Sequence, residues 1–247
     1  MGLLARVMKN FDLTRLVIVN PQCEIWGDQA RQMAVHAADV LERAQVVESL
    51  PIALTGCHRA IATTSVPRDL STPLERPEAA LPWLMERPDL ETALIFGRED
   101  HGLSNAELNL AQRLVAIPSS TTYASLNLAQ SVAVCAYVLR QITLGIHDNA
   151  GEQGTTISGQ GRALDSQSTQ TESLATLDGL ERFYSQLETT LQQIGYLYPH
   201  TTASRMAKFR QLFNRADLTQ TELAMLRGIL RQMNWAMRDE LRSPPDD

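Results

Sequence analysis

Apolar residues at Leu3, Leu4, Val7, Met8 and Phe11 recur at helical spacing, with Arg6 and Lys9 between them, so the chain opens on a predicted helix. The run RLVIVNP (15–21) predicts a buried strand closed by a turn. Ala30, Met33, Ala37, Val40 and Leu41 form the apolar side of a helix predicted over 28–43. Further strands are predicted at AQVV (44–47), RAIATT (59–64), TALIFG (92–97) and RLVAIP (113–118). A long apolar helix over 126–144 stops at Gly145. Strands alternating with helices imply an α/β fold with a mostly parallel sheet covered by helices on both faces.

From 146 to 176 the pattern lapses into Gly, Ser, Thr, Gln and Asp with few large apolar residues. Such a stretch buries too little surface to offset its ordering entropy and reads as a flexible linker. A small all-helical module is expected over 177–242. Its first helix carries Leu177, Leu180, Tyr184, Leu187, Leu191 and Ile194 at spacings of three and four. A second helix, near 202–215, carries Met206, Phe209 and Phe213, and the third opens with Thr219 and Glu222 in capping-box register. The expected organisation is therefore an α/β domain over 1–145, a linker and the module.

At 247 residues the chain has room for one or two domains with a sizeable core. No apolar run reaches membrane-spanning length and no secretory signal is apparent, so a cytoplasmic location is expected. Cys23, Cys57 and Cys135 stand far apart, as do the five histidines, and no metal site is expected. The net charge of −6 argues against indiscriminate nucleic-acid binding. The module is different: Arg205, Lys208, Arg210, Arg215, Arg227 and Arg231 face only two acidic residues between 205 and 231. They read either as a solvated surface or as a phosphate-contacting one.

Ligands in open α/β sheets bind beyond the carboxyl ends of the strands. Three loops leave such ends: TTSVPR, FGREDHGLSN and PSSTTYASLN. Neither GxGxxG nor GxxxxGK[ST] is present, which removes the two common nucleotide-phosphate loops. The loops offer Gly97, the hydroxyls of Thr64, Ser65 and Ser125, the carboxylates Glu99 and Asp100, and the amide of Asn127. That inventory suits a neutral or cationic ligand held by backbone hydrogen bonds. Each residue also has an ordinary alternative: Glu99 as an exposed loop carboxylate, Ser125 or Asn127 as a helix N-cap, Arg6 as a surface residue.

FGREDHGLSNAEL (96–108) and AIPSSTTYASLNLAQSVAVCAYVL (116–139) resemble the second and third motifs of the SpoU/TrmH class of RNA 2′-O-ribose methyltransferases. MGLLARVMKNFDLTRLVIVNP resembles most of the first motif, and the C-terminal helices resemble the tail of the TrmJ subgroup. The first-motif match begins one position after that motif's asparagine, so the sheet is expected to lack the family's first strand. The resemblance implies a C-terminal trefoil knot, S-adenosylmethionine as cofactor, a homodimer whose partner completes each site, and tRNA as substrate, methylated on the cytidine or uridine that opens the anticodon loop, position 32. It implies another RNA site, or an inactive RNA-binding relative, as alternatives. It places the cofactor on Thr64, Ser65, Val66, Gly97, Ile117, Ala124, Ser125 and Leu126, and the reaction on Arg6, Glu99, Ser125 and Asn127. It implies tRNA contacts from the basic module. A glycine at Gly97 is expected because a side chain there would hold the ligand off. Asp12 stands where the family usually has glycine, at a turn that favours positive φ.

Overall fold

The computed structural model describes residues 1–22, 24–65, 72–120, 122, 125–145 and 173–240. The chain runs from α1 (Gly2–Asn10) into β1 (Val17–Val19), then α2 (Asp28–Ala34), a 3-10 turn (Val35–Ala37) and α3 (Ala38–Glu42). There follow β2 (Gln45–Val47), α4 (Leu50–Ala53), β3 (Arg59–Thr63), β4 (Leu74–Glu75), α5 (Pro77–Ala80) and α6 (Pro82–Met85). β5 (Thr92–Ile95), α7 (Asn105–Leu108), β6 (Arg113–Val115) and α8 (Leu128–Thr143) complete the α/β part. α9 (Leu177–Gln193), α10 (Thr202–Asn214) and α11 (Gln220–Glu240) form the C-terminal part.

Every strand pairing is parallel, as the alternating pattern implies. The expectation of one sheet needs correcting, because the described residues form two. β1 pairs only with β2, while the larger sheet has the order β4-β6-β3-β5. β2 is three residues long, and two of them, Gln45 and Val46, are exposed. In the larger sheet β3 is almost entirely buried and lies between β5 and β6.

The single helix expected over 28–43 is interrupted at Val35, whose φ of 51° departs from helix geometry. Beyond the break Ala37, Val40 and Leu41 are buried with Leu4, Ala5 and Met8 of α1 and Val132 of α8. α1 lies so close to α2 that a Cβ on Gly2 would sit 2.2 Å from the Ala30 carbonyl oxygen. The turn after α1 takes positive φ at Asp12 (59°), and the Asp12 carboxylate meets Arg140 of α8 at 2.9 Å.

The expected linker, 146–176, lies outside the described residues as far as 172. Its last four residues are packed: the Ala175 N–H donates to the Leu218 carbonyl (2.8 Å), and Ala175 is buried. α9 then starts against the α/β domain. The Leu177 N–H donates to the Cys57 carbonyl (2.7 Å), and the Asp178 carboxylate accepts the Gly56 N–H (3.1 Å). Leu177, Leu180, Phe183 and Tyr184 share one apolar cluster with Leu50, Leu54, Leu108 and Leu114. The helices therefore close on the α/β domain as well as on one another.

One ion-pair cluster sits on this boundary. Arg59, 5% exposed at the start of β3, donates to the Trp83 carbonyl, to Glu86 (3.0 Å) and to Asp217 (3.2 Å). Its guanidinium carbon lies 4.4 Å from the centre of the Trp83 ring. Asp217 reaches it from the α10–α11 turn, at φ 45°. Asp217→Ala leaves a buried cation with one carboxylate fewer. Asp217 is itself partly exposed, so the expected loss is about 1–2 kcal/mol rather than the full value of a buried pair. A shift of the urea midpoint measures it.

Candidate active site

The three loops converge because β6, β3 and β5 are neighbours in the sheet. Thr63 Oγ1 donates to the Ile95 carbonyl (3.1 Å), tying the end of β3 to the end of β5. Beyond these ends lies a cleft of about 220 Å³. It is lined by Thr63, Thr64 and Ser65 from the first loop, residues 96–103 from the second, and Ile117, Ser125, Leu126, Leu128 and Ser131 from the third. It thus gathers Thr64, Ser65, Gly97, Glu99, Ile117, Ser125 and Leu126. Val66 and Ala124 lie outside the described residues. Arg6 and Asn127 do not line the cleft.

Asn127 has a local task. It is the N-cap of α8: its Oδ1 accepts the Gln130 N–H (2.8 Å), and the Gln130 side chain accepts the Asn127 N–H (3.2 Å). Glu99 adds a bond from the second loop, with Oε1 accepting the Leu128 N–H at 3.1 Å. A carboxylate at a helix N-terminus is favoured by the helix dipole. With two N–H groups already partnered, this helix end is poorly suited to hold a phosphate from the ligand.

The second loop is a tight return. Gly102 N–H donates to the Arg98 carbonyl (2.9 Å), and Gly102 itself has φ 68°. A Cβ on Gly97 would lie 2.3 Å from the Gly102 carbonyl carbon and 2.5 Å from Leu103 N. The loop's own backbone therefore already requires glycine here, beside the close approach to a ligand expected from the sequence. Arg98 holds Asp100 through two bonds (3.0 and 2.8 Å), and His101 Nδ1 lies 2.8 Å from the same carboxylate. The Arg98 hydrogen bonds hold the Asp100 carboxyl well below the usual carboxylate range. The pairing of Arg98 and His101 with Asp100 has no signature in the sequence, because it is set by how the loop folds back.

The cleft combines hydroxyls (Thr64, Ser65, Ser125, Ser131), apolar faces (Phe96, Ile117, Leu126), carboxylates (Glu99, Asp100) and the side chains of Arg98 and His101 that hold Asp100. This set fits an extended ligand with an apolar ring and hydroxyls. Burial pushes the Cys135 thiol on α8 up to about 12, so it is no nucleophile at neutral pH. Among the described residues no group of three or more His, Cys, Asp and Glu could hold a metal ion, and no helix is long and apolar enough to cross a membrane.

Arg6 is exposed on α1, and no hydrogen bond or ion pair holds it among the described residues. The module's cations are unevenly free. Arg210 is held by both oxygens of Glu181 and stands 4.4 Å over the Tyr184 ring. Arg227 touches Gln186 at 3.5 Å, and Arg215 bonds the Gln211 carbonyl of its own helix. Arg205 donates to the Tyr196 carbonyl (2.9 Å). Lys208 and Arg231 are exposed and have no such partner among the described residues.

A parallel sheet whose strand-end loops form a polar and apolar cleft beside a capped helix is the usual place for a ligand in an α/β protein, and the comparisons give the family. The chain belongs to the SpoU rRNA methylase family, whose profile matches residues 1–137. The profile of the tRNA methyltransferase TrmJ C-terminal domain matches residues 178–242. The resemblance read from 96–108, 116–139 and the tail is thereby borne out. The tRNA (cytidine/uridine-2′-O-)-methyltransferase TrmJ of Salmonella typhimurium is 39% identical over 231 residues, 93% of this chain and 89% of that protein. The tRNA (cytidine/uridine/adenosine-2′-O-)-methyltransferase TrmJ of Pseudomonas aeruginosa is 35% identical, covering 98% of this chain and 92% of its own. The crystal structure of TrmJ from Z. mobilis ZM4 superposes with a TM-score of 0.76 at 27% identity, covering 94% of this chain and 92% of that one.

Proposed function

We propose that this chain transfers a methyl group from S-adenosylmethionine to a ribose 2′-hydroxyl of tRNA, at the cytidine or uridine of position 32. The observation that carries the reading is the single cleft in which Thr64, Ser65, Gly97, Glu99, Ile117, Ser125 and Leu126 meet from three separate loops. The names and near-complete coverage of the 39%-identical relatives support tRNA over ribosomal RNA.

In this reading Thr64, Ser65, Ser125, Leu126 and the backbone at Gly97 and Ile117 hold the cofactor; Val66 and Ala124 are assigned to it by the family resemblance alone. The cofactor supplies an electrophilic methyl group on a sulfonium. Glu99 bonds the first N–H of α8 and thereby sets the position of Ser125 and Leu126 against the second loop. Asn127 acts through the same cap. A guanidinium offers hydrogen-bond donors and no acceptor, so the role of Arg6 is to orient the 2′-oxygen and stabilise charge developing there, not to remove the proton. Its exposure on α1, outside the cleft of its own chain, supports a homodimer in which it serves the partner's cleft.

The domain division is 1–145 for the methyltransferase unit and 177–242 for the tRNA-binding module, in the cytoplasm. A trefoil knot at the end of the first unit is supported by β6 returning between β4 and β3 before α8. The test is methyl transfer to total tRNA followed by nucleotide mapping. Label at position 32 is expected. Label confined to ribosomal RNA, or cofactor and tRNA binding with no transfer, would overturn the reading.

A further inference from the structure

The loop between α9 and α10 carries two half-exposed aromatic rings, one of which, Tyr196, has its inner side 6.4 Å from the Phe209 ring. Tyr196 and Tyr198 are 50% and 54% exposed, while Leu197 between them is 3% exposed. This alternation anchors the loop through Leu197 and turns the flanking rings to solvent. The loop is well braced. The N–H groups of Tyr196 and Leu197 both donate to the Leu191 carbonyl (2.9 and 3.0 Å), and Gly195 makes the turn at φ 74°. Thr202 Oγ1 and Thr201 N–H both donate to the Tyr198 carbonyl (2.9 Å each).

The rings have the company that nucleobases favour. His200 lies nearly parallel to Tyr198, with centroids 6.1 Å apart and planes at 20°. The Arg205 guanidinium carbon stands 5.1 Å over the Tyr196 ring. One Arg205 nitrogen bonds the Tyr196 carbonyl, and its other N–H donors are unengaged among the described residues. Lys208 follows one turn later on α10, exposed and without a partner. Exposed rings on a braced loop beside cations are how proteins hold unpaired nucleotides: bases stack on the rings and phosphates meet the cations.

We infer that Tyr196, Tyr198 and His200, flanked by Arg205 and Lys208, form a stacking platform for unpaired bases of the RNA substrate. The inference rests on the proposed tRNA reading and gives it a definite contact surface. The platform binds single-stranded nucleotides through rings and phosphates, and duplex RNA only through the phosphates.

The experiment measures binding of the full-length protein to a stem-loop with unpaired loop bases and to a fully paired duplex of equal length, across a salt series. Tyr196→Ala and Tyr198→Ala should each weaken stem-loop binding by roughly 5- to 150-fold, the equivalent of one stacked base. Duplex binding and the salt slope should be unchanged, and the Tyr→Phe variants should restore affinity. Lys208→Ala should instead lower the slope by about 0.7–0.9 for both RNAs. Alanine variants with wild-type stem-loop affinity would overturn the proposal. So would equal weakening on both RNAs, or a change of oligomeric state with RNA binding intact, which would make the surface a protein contact. If the protein methylates ribosomal RNA and not tRNA, yet loop binding still depends on these tyrosines, the platform stands and the tRNA reading falls.

Discussion

Arg6→Ala is expected to cut methyl transfer to tRNA by two to three orders of magnitude, the scale of losing one donor to a developing oxyanion, about 3–4 kcal/mol of barrier. Affinity for S-adenosylmethionine should be unchanged, because the role proposed for Arg6 is toward the ribose 2′-oxygen and not toward the cofactor. Stability should be nearly unchanged too. Arg6 is exposed and has no partner among the described residues, and such surface substitutions stay within about 0.5 kcal/mol. Arg6→Lys should recover little, since an ammonium cannot reproduce the planar two-pronged contact of a guanidinium. Single-turnover transfer, isothermal titration with cofactor and a thermal melt separate these outcomes. An Arg6→Ala protein with wild-type turnover would remove the residue from the mechanism.

Gly97→Ala is expected to have the largest effect on the cleft itself. The added methyl would meet the backbone of Gly102 and Leu103 at 2.3–2.7 Å, and no flexible side chain is there to give way. Relief requires the loop to open, breaking the Gly102–Arg98 hydrogen bond and unseating Leu103, which is 6% exposed. Overpacking of this kind costs about 3 kcal/mol or more, the upper end of the usual range. For a chain of this size that lowers Tm by roughly 6–12 °C. Glu99 rides on the same loop and would lose its bond to Leu128, so cofactor affinity should fall by at least an order of magnitude. A variant with wild-type Tm and cofactor affinity would show that the loop has more room than its geometry indicates.

The parts of this architecture most legible in the sequence are those governed by local rules. The α8 pattern and its Asn127 cap follow from helical spacing and one polar side chain, and the Thr219–Glu222 capping box forms as its register implies. The strand ends that build the cleft are placed by apolar runs. What escaped is non-local. No glycine or proline announces the break at Val35, which is set by the packing of α2 and α3 around α1. β4 is two residues long, too short for any alternation to register. Gly97 was legible as a close approach, but what it approaches depends on how the loop folds back. Charge counting grouped Arg210 with Lys208, although the first is committed to Glu181 and Tyr184 while the second is unengaged. The sharing of one apolar cluster between α9 and the α/β domain was invisible because an apolar stripe does not name its partner.

The order β6-β3-β5 has a kinetic meaning. The registers join Ile61 to Arg113 and Arg59 to Thr92, pairings separated by dozens of residues and therefore slow to find. The cleft exists only where these strands end side by side, so no early fragment of the folding chain can present it. Binding competence should appear only once the central sheet has formed, and cofactor added during refolding should stabilise only molecules that have completed it.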